Sequence, residues 1–163
     1  MVVSATTLNA IERAYQGEVF GIAMYSLLAE AQQDPFRRWQ WQCLVHLEIE
    51  TRAATAALLT RLGITTIDDP SEVQAGEAEA RRIMHLPWHE MIREFASDLP
   101  ELVAEYAAVE AKAGLSGEDG AVLHRLTLHE EVTLAFCEAE LAGESSSSIE
   151  PVIAMLDNPP ARP

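Results

Sequence analysis

The chain has 163 residues, 48 % of them hydrophobic, enough for one domain with a full core. No apolar run approaches the roughly 18–20 uncharged residues that a membrane span requires. Acidic residues outnumber basic ones 26 to 11, a formal charge of −15, which argues against nucleic acid and anionic membrane surfaces as partners.

The opening segment, Met1 to Thr7, has neither the basic start nor the apolar core of a signal peptide, so a soluble, cytoplasmic protein is expected. The only cysteines, Cys43 and Cys137, form no Cys-x-x-Cys pair and are expected as core thiols.

The first long helical pattern runs from about Thr7 to Gln33. Its stripe is Leu8, Ile11, Tyr15, Glu18, Ile22, Tyr25 and Ala29, with Glu18 the one charged member. Asp34-Pro35 ends it, because proline disfavours helix in the residue before it. The second helix, about Phe36 to Arg61, carries Trp41, Leu44, Glu48, Thr51, Thr55, Leu58 and Leu62, and Gly63 stops it. A long connection follows, in which Ser71 to about Met84 is expected as an extra short helix. The third long pattern, Pro87 to Ala113, shows Ile92, Phe95, Leu99, Leu102, Tyr106 and Val109, with Glu105 beside them. Pro100 should kink or split it near Asp98-Leu99.

After a turn at Gly114–Gly120, a fourth helix spans about Glu118 to Ala142, with Leu123, Leu126, Glu130, Thr133 and Cys137 facing inward. Residues 144–163 read as a flexible serine-rich link, a short helix over Ile149–Leu156 and a disordered Pro-rich tail. No strand pattern competes. The expectation is an all-α four-helix bundle over residues 1–143, with two antiparallel hairpins joined by a long crossover.

Two tetrapeptides stand out on these stripes: Glu48-Ile49-Glu50-Thr51 and Glu130-Glu131-Val132-Thr133. A carboxylate on a core stripe is expensive unless something neutralises it. Hairpin geometry brings such residues level. Glu18 lies sixteen residues before Asp34 and Glu48 fourteen after it; Glu105 lies twelve before Gly117 and Glu130 thirteen after it. At a rise of about 1.5 Å per residue, the partners in each hairpin differ in height by about 1.5–3 Å. On the third helix Glu110 rivals Glu105, though its level matches Glu130 less well. Four converging carboxylates cannot all stay ionised in a dry core, and a cation pair is the usual resolution.

One glutamate on each of two helices, with Glu-x-x-His on each of the other two, is the di-iron arrangement of the ferritin-like superfamily. This chain resembles that superfamily, in particular its rubrerythrin- and bacterioferritin-type members, over about Thr7 to Gly143. The resemblance implies metal ligands at Glu18, Glu48, Glu105 and Glu130, and iron, two per chain, or manganese as the cofactor. It departs from the family where Thr51 and Thr133 replace the two histidines. A hydroxyl is a poor iron ligand but a good donor to a carboxylate, which makes both threonines outer partners of the ligands.

His129, about 100° round the helix from Glu130, can reach inward as ligand or partner, whereas His46 should face away and pair with Glu50. His85 and His89 are separated by Pro87 and belong to the surface. Tyr15, Tyr25 and Tyr106 flank the layer; Tyr106 is the one placed beside the ligands, although core packing is the ordinary reason for such tyrosines. Glu101, Glu131, Glu138 and Glu140 are assigned to solvated faces, as is Glu110 unless it takes the ligand position.

Two functions compete. One is an oxidoreductase whose dinuclear site acts with dioxygen or peroxide; without a Cys-x-x-Cys it lacks the rubredoxin-like electron entry of full rubrerythrins. The other is a metal-free ferritin-like binding or structural protein. A carboxylate-only manganese site is a third form. Trp39 and Trp88, if exposed, would suit a homodimer interface.

Overall fold

In the computed structural model, which describes residues 3–163, the chain folds into α1 (Ala5–Ala31), α2 (Pro35–Arg61), α3 (Pro70–Ile83), α4 (Trp88–Ala96), α5 (Leu99–Ala113), α6 (Gly117–Ala142) and α7 (Glu150–Ile153). Met1 and Val2, at the start of the expected domain and of the segment tested for a signal peptide, lie outside the described residues. Among the described residues there is no strand. Nor, among these residues, is any helix long and apolar enough to cross a membrane.

Local chemistry sets the boundaries. Asp34 caps α2 by accepting from the Phe36 and Arg37 amides at 2.8 and 3.1 Å, and Pro35 occupies the first turn, where its missing N–H is not needed. Asp69-Pro70 starts α3 in the same way, Asp69 accepting from the Ser71 amide at 2.8 Å. The segment before α3 is tied back where Asp68 accepts from both Tyr15 and Arg52. Pro100 divides the third long pattern as expected: α4 stops at Ala96, and α5 resumes at Leu99.

α1 and α2 pack along their length, α6 closes on α2, α4 and α5, and α5 also touches α1. The crossover helix α3 lies on α1 at very close range. A Cβ on Gly76 would stand 2.3 Å from the Phe20 carbonyl oxygen, so only glycine permits this approach. One core surrounds Trp41, whose ring meets Tyr25 at 5.7 Å, Phe95 at 5.5 Å and Trp88 at 5.9 Å. A second packs Ile11, Tyr15, Val19, Leu58, Leu59 and Leu123 at the other end. α5 is the least embedded long helix, with only Leu99 fully buried. It roofs the space between the two cores rather than filling it.

Three expectations about the periphery are corrected. The C-terminal tail is not loose: the Trp39 indole donates to the Pro160 carbonyl at 2.9 Å, and the Arg162 guanidinium stacks over Phe36 and Trp39. Trp39 and Trp88 are 3 % and 7 % exposed, which removes the sequence argument for a homodimer. Glu50 does not pair with His46. It meets Arg125 at 3.1 Å and accepts from the Asp157 amide, holding the tail from its other side.

Candidate metal centre

Glu18 of α1 and Glu48 of α2 meet in the core, 2 % and 4 % exposed, as their matched heights require. His129 of α6 joins them, and one ligand atom of each lies within 4.8 Å of the others. The imidazole spans the two carboxylates. Its Nε2 is 3.0 Å from Glu48 Oε1 in a hydrogen bond, and its Nδ1 is 3.3 Å from Glu18 Oε2. The second contact is too poorly aligned to be a hydrogen bond, so Nδ1 and Oε2 are both left buried without a partner. The Thr51 hydroxyl, fully buried, is unpartnered as well.

Buried polar atoms are nearly always satisfied, so two facing orphans at one spot call for an explanation. The electrostatics agree. Burial and the neighbouring Glu48 charge hold the Glu18 carboxyl well above the usual carboxylate range. Burial would push the His129 imidazole down, but the Glu48 charge and hydrogen bond outweigh it and raise it. Burial lifts Glu130 to about 7, with His129 opposing and Glu48 reinforcing the shift.

Gly21, which sequence reading passed over, makes room for the cluster. A Cβ there would stand 2.5 Å from the Glu48 carboxyl carbon. The Glu48 head therefore rests on bare α1 backbone, one turn beyond Glu18. A glycine inside a helix costs roughly 1 kcal/mol relative to alanine, so its position facing a buried carboxylate is a signal that sequence alone can flag.

The other expected site residues are distributed differently. Glu130 is outside the triangle of close ligand atoms and lines a cleft above it. Glu105 is exposed and ion-paired with Arg13 at 3.1 Å, because the rotation of α5 turns it outward. Its rival Glu110 accepts from Thr127 at 2.7 Å and meets His124 at 3.0 Å, so neither α5 glutamate reaches the cluster. Thr133 donates to the His129 carbonyl at 2.8 Å rather than to a carboxylate. Tyr106 lines the cleft, and burial and the nearby carboxylates raise its phenol.

The buried face of α6 explains these shifts. Leu126, His129, Thr133, Phe136 and Glu140 are all buried, spaced three, four, three and four, so the stripe runs through His129 and leaves Glu130 at its edge. Glu140, expected on a solvated face, is the last member of this stripe. Its carboxylate accepts from Gln40 Nε2 at 2.6 Å, Trp88 Nε1 at 2.7 Å, Ser145 Oγ at 2.6 Å and Ser148 Oγ at 2.5 Å.

The cleft over Glu18, Glu48 and Glu130 has a volume of about 530 Å³. α1, α3, α4 and α5 wall it, and the break between Ala96 and Leu99 forms part of its mouth. The cluster is thus buried but has a route to solvent. Comparison with family models, curated proteins and solved structures gave no match.

Proposed function

We propose that this chain is a ferritin-like four-helix protein, with α4 and α5 together as its third helix, whose core binds a transition-metal cation. Glu18, Glu48 and His129 would hold the metal, and Glu130 would be a further carboxylate facing the cleft. The observation that carries this reading is the convergence of three buried ligand atoms within 4.8 Å beside orphaned polar atoms. Two carboxylate oxygens and one imidazole nitrogen make a hard, oxygen-rich set that suits manganese or ferrous iron.

The donors fit one cation better than the two of the family arrangement. Glu105 is on the outer surface with Arg13, and Thr51 and Thr133 offer no nitrogen donor in place of the family histidines. A bound redox-active metal would supply electron exchange with dioxygen or peroxide, which makes oxidoreductase the favoured activity class. The chain's own part is to gather the negative charge on Glu18 and Glu48, to release protons from Glu18 and His129 as metal enters, and to shield the centre from bulk water beneath the cleft.

One observation favours a second reading. The 3.0 Å His129–Glu48 hydrogen bond would pair a protonated imidazole with a carboxylate, and a protonated Glu18 beside them would make the cluster neutral without metal. That is the metal-free binding or structural protein. Elemental analysis of chelator-treated protein after reloading with manganese or ferrous iron decides between them. One metal per chain, retained in Glu105→Ala and lost in Glu48→Ala and His129→Ala, is the expected result. Wild type that retains no metal would leave the second reading standing.

A further inference from the structure

The cleft above the buried cluster has two properties that together define a ligand. Its floor and rim carry Glu18, Glu48, Glu130, Glu79, Glu94 and Asp98, whereas among the described residues Arg82 is its only cationic lining residue. That guanidinium is already engaged, by Glu79 at 2.7 and 2.9 Å and by Glu94 at 2.9 Å. Six carboxyl groups against one guanidinium that two of them share, set in a concave low-dielectric wall, favour a cation in the opening.

The walls, by contrast, are apolar and aromatic: Phe20, Met24 and Tyr25 from α1 face Phe95, Leu102 and Tyr106 from α4 and α5. Phenyl and phenol faces attract cations as well as apolar surface. A volume of about 530 Å³ falls in the range that small organic ligands occupy. Glu18 is 2 % exposed, lines this cleft, and keeps an oxygen with no hydrogen-bond partner.

From these features we propose that the cleft binds a small organic cation, a protonated amine on an apolar or aromatic body. The ammonium lies toward Glu130 and the carboxylate floor, and the body lies between Tyr25, Phe95 and Tyr106. An anionic ligand is repelled by the same lining, and a neutral one of equal shape gains only the walls. The inference goes beyond the metal centre, because it rests on the charge and the walls of the cleft in front of it.

Calorimetric titration of chelator-treated full-length protein with phenethylamine, neutral phenethyl alcohol and anionic hydrocinnamate tests it. Saturable binding of one amine per chain, about tenfold tighter than the alcohol, with no binding of the anion, is expected. Glu130→Gln should bring the amine down to the affinity of the alcohol and leave the alcohol unchanged. Glu94→Gln, at the exposed rim, is the second variant should Glu130→Gln fail to fold, and should weaken the amine alone. Phe95→Ala should weaken amine and alcohol together. Equal affinity for amine and alcohol overturns the proposal, as does non-saturating attraction of the amine to an acidic surface, or an amine preference that both charge variants leave intact. Manganese loading of the same preparation keeps the two readings apart. Protein that prefers the amine but takes up no manganese refutes the metal centre alone; protein that loads manganese without an amine preference refutes the cleft proposal alone.

Discussion

Two buried carboxylate sites sit on one face of α6, and they solve the same problem in opposite ways. Glu140 is 1 % exposed, and each of its oxygens accepts two hydrogen bonds. Burial would raise its carboxyl, but the Ser145, Ser148, Trp88 and Gln40 donors outweigh it and hold it below the ordinary value. Eleven residues earlier, His129 faces Glu18 and Glu48, where burial and like charge prevail and Glu18 is pushed well up. The donors at the first site come from α2, α4 and the segment after α6, so that carboxylate fastens elements together. The second site leaves Glu18 Oε2 and His129 Nδ1 without hydrogen-bond partners.

The contrast can be broken most forcefully at Glu140. Glu140→Ala removes the acceptor of four donors at once and should destabilise the fold by roughly 3 kcal/mol or more, read from urea unfolding. Glu18→Gln should instead be neutral or stabilising by up to about 1 kcal/mol in metal-free protein, because an amide of the same shape avoids the cost of burying this carboxyl. If both variants lose stability equally, the distinction between fastening and binding carboxylates is wrong.

Acid titration gives the next largest effect. The folded-state value of Glu140 is depressed, so its contribution is fully present above the unfolded carboxylate value of about 4.3 and is lost as pH falls through the folded value. Wild type should therefore lose more stability on acidification than Glu140→Gln does. Parallel curves would sink the assignment.

Gly21→Ala sharpens the other side of the comparison. The new methyl group displaces the Glu48 carboxylate while the helix gains up to about 1 kcal/mol of propensity. Manganese affinity should fall about tenfold or more while the unfolding midpoint holds or rises; unchanged affinity would show that Glu48 is not a ligand. The smallest effect is at Glu105. An exposed ion pair contributes at most about 1 kcal/mol, so Glu105→Gln should leave both unfolding and metal uptake within error of wild type.

The helices were legible in the sequence because their boundaries have local chemical causes: Asp34-Pro35, Gly63 and Pro100 act on their own neighbours. The meeting of Glu18 and Glu48 was legible for a related reason, since a short hairpin converts sequence distance into height. Rotation about a helix axis was much less so. On α6 the expected members Leu123, Leu126, Thr133 and Cys137 are all buried, but between Leu126 and Thr133 a step of three reaches His129 and a step of four reaches Glu130, and both steps are regular. The same ambiguity concealed the burial of Glu140 and gave Glu105 an inward direction that the loosely seated α5 does not provide. Gly21 was readable in principle, as a helix-weakening residue with no turn to justify it.

All three tryptophans of the chain lie in the core, which gives the molecule a built-in optical reporter. Each indole has a different setting: Trp88 donates to Glu140, Trp39 to the Pro160 carbonyl, and the Trp41 N–H has no partner. Trp41 stacks on Tyr25, and Tyr25 forms part of the cleft wall. Intrinsic fluorescence should thus separate events by residue: single-tryptophan variants keeping Trp39, Trp88 or Trp41 would report on the tail, the Glu140 clamp and the cleft in turn, without any attached dye.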